Sequence, residues 1–221
     1  MREFNINKNP YGDDILYDKE NITIEPGLSI LVGCNGCGKT TFLRCLREQL
    51  KEEKVLHIFY SNLTDGGEYA RSKAGFLGDF DFLATAICSS EGENIVMNLA
   101  GIARDIGCLV RRHPDEKEMW LLFDAIDSGL SIDNVLDIKK HLFDLIFKEN
   151  KDKKVYIVVA ANGYEMCKNE KCFDVCRGEY IKFNSYDEYF KFIIKSREKK
   201  QKRDEVYIER LEKEQNKTAR Q

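Results

Sequence analysis

The sequence of 221 residues predicts an α/β fold, a mainly parallel sheet covered by helices on both faces. Three observations predict it. Strand-like and helix-like segments alternate along the chain, the order that builds parallel sheets. Two apolar runs, residues 119–124 and 155–160, lack polar alternation, as strands buried on both faces do. A further strand-like run, residues 28–32, feeds a glycine-rich loop that opens a helix-like segment.

The elements follow in order. Phe4, Asn5 and Ile6 alternate, Asn9 to Asp13 turn the chain, and residues 21–25 alternate again before Pro26-Gly27, giving an antiparallel β region. The strand at 28–32 comes next, then a helix to about Glu53 and a second strand from Lys54 to Tyr60. Residues 61–80 read as loop, with Asp65-Gly66-Gly67, Gly75 and Gly78 as breaks. A helix starts near Glu91 and carries Ile95, Leu99 and Ile102, and the acid-terminated strand 119–124 follows. Residues 132–147 place Val135, Leu136, Ile138, Leu142, Phe143 and Ile146 largely on one helical face ahead of the strand 155–160. From Ser185 the chain becomes helical and highly charged, with Lys195 to Arg203 strongly basic. Residues 1–185 are therefore expected to form the folded head and 186–221 a charged C-terminal helix or tail. That tail reads as a solvated helix, with a partner- or nucleic-acid-contacting helix as the rival reading.

Gly33-Cys34-Asn35-Gly36-Cys37-Gly38-Lys39-Thr40 meets the phosphate-binding pattern G-x-x-x-x-G-K-[ST] at every required position, between a strand and a helix. Glycines let successive N–H groups converge on an anion, and the helix start adds partial positive charge. Lys39 is the expected β/γ-phosphate cation and the Thr40 hydroxyl the expected Mg²⁺ ligand. A chance glycine turn before a lysine would not need this strand–loop–helix setting. The chain is expected to bind a nucleoside triphosphate, ATP, with Mg²⁺.

Composition narrows the class. At 43% hydrophobic the chain can bury a full core, and no apolar run is long enough to span a membrane. The net charge of −3 excludes a broad basic field for nucleic acid, leaving only a local patch. The N-terminus, Met1-Arg2-Glu3-Phe4-Asn5, lacks a secretory apolar core, and the eight cysteines then read as reduced thiols of a cytoplasmic protein. Cys167, Cys172 and Cys176 cluster, but without the paired spacing of a zinc site. Cys34 and Cys37 inside the loop read as small side chains, with a redox brake on nucleotide binding as the alternative.

Further motifs carry a resemblance. Asp124-Ala125-Ile126-Asp127-Ser128-Gly129-Leu130-Ser131 resembles the D-E-[VI]-D-x-x-L-D stretch of SMC- and RecF-like ATPases of the ABC class, departing at Ala125 and Ser131. Ser89-Ser90-Glu91-Gly92-Glu93 resembles the ABC signature L-S-x-G-[QE], with serine in the leading place. The loop extended to Thr41 has the G-x-N-G-x-G-K-[ST]-[ST] form common there. Over residues 20–165 the chain resembles an ABC-type P-loop ATPase head, similar to small SMC/RecF-like AAA-family ATP-binding proteins. With only residues 42–88 between loop and signature, it has no room for a long coiled coil.

The resemblance implies a helical signature subdomain at about 61–110, with Ser90, Gly92 and Glu93 contacting the nucleotide held by the opposite subunit. One loop and one signature then imply a head-to-tail homodimer around two ATP molecules. Asp124 becomes the Mg²⁺-side acid. Ala125 stands where the family carries the glutamate that polarises the attacking water, so ATP hydrolysis is expected to be slow or absent. Two origins fit it, an introduced Glu→Ala exchange that traps nucleotide and a natural loss leaving an ATP-gated switch. Asn162 occupies the switch position as a γ-phosphate or water contact, and Ser61 or Asn62 the place of the glutamine loop. Tyr11 and Tyr17 are candidates for stacking on adenine or for packing.

A family analogy extends this to an effector-protein partner, to DNA repair or to antiviral defence, with DNA as a possible ligand and no membrane. The ATP-binding subunit of an ABC transporter and a P-loop small-molecule kinase are the rivals.

Overall fold

The computed structural model describes residues 1–8, 16–62 and 91–218, the side chains of 91–100 and 210–218 excepted. Two strands, β1 (Arg2–Asn5) and β2 (Asn21–Ile24), form an antiparallel pair. The central sheet holds β3 (Gly27–Val32), β4 (His57–Ser61), β5 (Glu118–Asp124), β6 (Lys154–Ala160), β7 (Cys172–Asp174) and β8 (Glu179–Ile181). Its order is β4-β5-β6-β3-β7-β8, and every pairing is parallel except β7 with β8. The helices are α1 (Lys39–Glu52), α2 (Glu91–Arg112), α3 (Ile132–Asp137), α4 (Asp144–Glu149), α5 (Tyr164–Cys167) and α6 (Tyr186–Thr218). A π-helical segment, Ile138–Phe143, joins α3 to α4.

The uninterrupted apolar runs of β5 and β6 have the consequence expected of strands buried on both faces. Met119, Leu121, Phe123, Val155, Ile157 and Val159 point to one layer, where α2, the α3–α4 stretch and the start of α6 cover them. Trp120, Leu122, Tyr156 and Val158 point to the other, under α1 and the β1–β2 pair. There Trp120 stacks on Tyr156 at 4.0 Å between ring centroids, and Phe4 meets its edge at 5.1 Å. This is a mixed α/β architecture with a mainly parallel sheet flanked by helices, as P-loop NTPases have.

Three local readings are corrected. Lys54 does not begin β4: at φ +57° it closes the end of α1, where the Val55 amide donates to the Leu50 carbonyl at 2.9 Å. Leu136 is 49% exposed, because the stripe Val135, Ile138, Leu142, Ile146 already fills the core-facing side and the next residue turns about 100° away. The segment after Ser185 is not merely a solvated appendage. Tyr189 is buried and Phe192 and Ile193 pack on the core, so the first turns of α6 are structural.

Candidate functional site

The phosphate loop runs from the end of β3 into α1, with β5 and β6 ending beside it. Its shape depends on glycine at two points. Gly33 has φ +146°, and a Cβ there would come 2.4 Å from Cys37 Sγ. Gly38 has φ +101°, and a Cβ would come 2.7 Å from Leu16 Cδ2 and 2.9 Å from the Tyr17 hydroxyl. Gly38 is also the N-cap of α1, and the first turn of that helix carries no acidic residue. No acidic side chain of that turn therefore competes for the opening amides, an arrangement that suits an anion.

Lys39 is buried, and its Nζ donates to the carbonyls of Gly33 at 2.8 Å and Cys34 at 3.4 Å, along the inside of the loop. Asp124 ends β5 two strands away. The Thr40 hydroxyl donates to Asp124 Oδ1 at 3.0 Å, which joins the loop to the acid-terminated strand. Two oxygen donors so placed suit Mg²⁺, which binds through one or two protein groups plus phosphate oxygens. A cavity of about 370 Å³ opens here, lined by Gly36, Lys39, Thr40, Asp124, Ala125 and Asn162 among others. Its size and polar floor suit the phosphate end of a nucleotide.

Ala125 lies at the rim with φ +55°, a left-handed conformation costly for a residue with a Cβ. Its amide still donates to the Ala160 carbonyl at 3.1 Å. Asn162 reaches the same cavity from the end of β6, and its Nδ2 donates to the Ser128 hydroxyl at 3.3 Å. Asp127 holds that loop in place. Its Oδ2 accepts the amides of Asn162 at 2.8 Å and Gly163 at 2.7 Å, while its buried Oδ1 has no hydrogen-bond partner among the described residues. Burial pushes the Asp127 carboxyl above the ordinary aspartate range, against the pull of those two amides.

The structure thus brings Gly33, Cys34, Asn35, Gly36, Cys37, Gly38, Lys39, Thr40, Thr41, Asp124, Ala125 and Asn162 to one end of the sheet. Gly92 and Glu93 lie in the first turn of α2, and Ser90 and Tyr11 fall outside the described residues. Tyr17 is a packing residue: it is 2% exposed, meets Phe42 edge-on and donates to the Gly38 carbonyl at 2.9 Å. Ser61 is buried beside Asp124 on the neighbouring strand, and Asn62 Nδ2 donates to the Ser128 carbonyl at 3.1 Å.

The cysteines sort differently from their order in sequence. Cys167, at the end of α5, and Cys172, the first residue of β7, are free thiols hydrogen-bonded to each other, whereas the Cys176 thiol lies 3.9 Å from the Cys37 carbonyl. Among the described residues no cluster of metal-ligating side chains forms. The Cys34 thiol is pulled down to about 6, first by the hydrogen bond from Cys37, then by the Ser196 hydroxyl and the Lys39 and Lys200 charges, against its burial.

Sequence reasoning missed two contributors. The first is Asp127, which lies in the loop after β5 and reaches the amides at the end of β6. The second is α6, whose Ser196 hydroxyl accepts the Cys34 amide at 3.1 Å and whose Tyr189 hydroxyl donates to the Asn162 carbonyl at 2.9 Å. Its charge density hid it, since a basic run usually marks a solvated face.

No family model matches the chain. A stretch of 42 residues is 45% identical to the "Probable siderophore transport system ATP-binding protein YusV" of Bacillus subtilis (strain 168). The stretch takes in 19% of this chain and 15% of that protein's length. This partial likeness to an ABC ATP-binding protein and the mainly parallel sheet fit a P-loop ATPase. Among the described residues, no helix is long and apolar enough to cross a membrane.

Proposed function

We propose that the chain is an ABC-type ATPase head that binds ATP with Mg²⁺ and closes, head to tail, with a second copy around two nucleotides. The observation that carries the nucleotide part is the contact between Thr40 and Asp124, which sets a hydroxyl and a carboxylate 3.0 Å apart at the floor of the Lys39 cavity. In this reading the amides of residues 35–41 and the Lys39 ammonium hold the phosphates, and Thr40 and Asp124 hold the ion. Bound Mg²⁺ neutralises phosphate charge. Ser90, Gly92 and Glu93 at the head of α2 contact the nucleotide of the other copy. Asn162 faces the terminal phosphate, oriented by Asp127. Ala125 supplies no base, so hydrolysis is slow and the closed dimer persists.

Such a dimer acts as a switch, since closure changes the surface offered to an effector protein. Small heads of this kind, similar to SMC/RecF-like ATPases, suit DNA maintenance or antiviral defence by analogy. A second reading, the ATP-binding subunit of a transporter, is favoured by the partial relative's name.

Calorimetry and light scattering with Mg²⁺-ATP, ADP and no nucleotide test the proposal. Lys39→Ala should abolish ATP binding, and Ser90→Arg should leave binding intact while preventing a dimer that only ATP induces. Unchanged ATP affinity in Lys39→Ala overturns the nucleotide site, and a mass indifferent to nucleotide overturns the sandwich.

A further inference from the structure

The basic stretch of α6 lies against the phosphate loop in a fixed register. Tyr189 ties the helix to Asn162, Ser196 to the Cys34 amide, and Lys199 to Asp18 at 2.9 and 3.0 Å. Phe192 and Ile193 pack on the core between these ties. Ser196 lies seven positions after Tyr189, close to two full turns, so both anchors fall on one face. The next position on that face is Lys200, and it lies over the apex of the loop. Its Cε is 2.8 Å and its Nζ 3.4 Å from the point where a Cβ on Gly36 would stand. The same ammonium pairs with Asp204 one turn further on, at 3.1 Å, and is about one-third exposed.

Two cavities meet at this apex. The 370 Å³ cavity holds Lys39, Thr40 and Asp124. A second, of about 570 Å³, lies between the loop and α6 and is lined by Tyr189, Arg197 and Lys200. Asn35 and Asn162 line both. In the nucleotide-binding reading, phosphates nearest the nucleoside would be held at the start of α1 and a third would extend toward Gly36 and toward Asn35, which lines both cavities. Lys39 would face it from the inside of the loop and Lys200 from the outside.

We propose that Lys200 is a phosphate-contacting cation supplied in cis by α6, and that it makes the site select a nucleoside triphosphate over a diphosphate. The inference rests on the nucleotide-binding reading of the loop. A flexible four-carbon stem lets the ammonium leave Asp204 for a more highly charged partner. The diphosphate ends short of the apex and gains nothing from it.

Calorimetry on the full chain with Mg²⁺-ATP and Mg²⁺-ADP tests this, using Lys200→Met, which keeps the apolar stem, and Lys200→Arg, which keeps the charge. Lys200→Met should weaken ATP binding by about 10- to 100-fold, the range of a lost charged hydrogen bond, and change ADP binding by less than about 2-fold. Lys200→Arg should recover most of the ATP affinity. Equal losses for the two nucleotides, no loss, or tighter ATP binding overturns the inference alone. A wild-type chain that binds neither nucleotide overturns the nucleotide reading and this inference with it.

Discussion

Removing the Asp127 carboxylate tests the clamp that orients Asn162. Asp127→Ala takes away one acceptor oxygen that serves two amides, at 2.7 and 2.8 Å. At about 1 kcal/mol net for each hydrogen bond, the loss is about 2 kcal/mol of stability. The charge itself works the other way. Burial raises the Asp127 carboxyl above its ordinary value of 3.8, so the folded chain holds that proton more tightly than the unfolded one. The stabilising contribution of a raised acid is full below the unfolded value and is lost as pH rises through the folded value. Asp127→Asn keeps an acceptor and removes the ionisation. Relative to wild type, it should therefore gain stability as pH rises above the ordinary aspartate value of 3.8. Urea unfolding followed by the fluorescence of Trp120, the single tryptophan and fully buried, reads both effects. Asp127→Asn lacks the same charge but keeps the acceptor, so an Asp127→Ala variant within about 0.5 kcal/mol of Asp127→Asn refutes the clamp, given the typical scale of neutral surface changes. A stability gap between Asp127→Asn and wild type that moves the opposite way with pH refutes the sign of the charge effect.

Other expectations follow from the same geometry. Ala125→Glu adds a carboxylate at the rim of the Thr40–Asp124 cavity and should raise phosphate release by about 10²–10⁴-fold, the usual worth of a positioned base; an unchanged rate means that this position does not serve the water. Ala125→Gly should stabilise the fold by about 1 kcal/mol, because glycine takes φ +55° without strain; a lower unfolding midpoint would contradict this. Cys34 lines the 570 Å³ cavity, and its alkylation, followed by mass spectrometry, should rise with a midpoint near 6; a midpoint near the ordinary thiol value of about 8.5 would show that its neighbours do not favour the thiolate. A chain ended after Ser185 loses buried Tyr189 and should unfold more easily by about 3 kcal/mol, while one ended after Glu205 keeps every α6 contact described above and should match wild type in calorimetric scans.

What could be read in advance depended on how local each signal was. The phosphate loop, its strand and its helix are consecutive, so their relation is written in the order of residues 28–46. The runs of β5 and β6 announce burial on both faces because they contain no alternation. β7 and β8 have three residues each, too few to show a period, and only their pairing with β3 reveals them. Side-chain contacts between distant segments were invisible for a different reason. Asp127 reaches Gly163 and Ser196 reaches Cys34 only because the parallel sheet brings the ends of β3, β5 and β6 to one end of the sheet. A pattern search weighs Asp127 and Ser196 by residue type, while their use is set by topology.

That topology also makes α6 more than a cover. One helix holds the loop after β3 through Ser196, the loop after β6 through Tyr189, and the turn before β2 through Lys199 and Asp18. Asp127 ties the loop after β5 to the loop after β6. The phosphate loop, the Asp124 strand end and Asn162 are thereby linked through short contacts, although they come from three separate strands. A shift of α6 would move the Cys34 amide and the Asn162 carbonyl together, because both are bonded to the same rigid rod. Tyr186 and Phe190, exposed one turn apart on this helix, line the same 570 Å³ cavity as Gly33, Cys34 and Asn35, so the helix meets the loop both through its two hydrogen bonds and across that cavity rather than through the sheet.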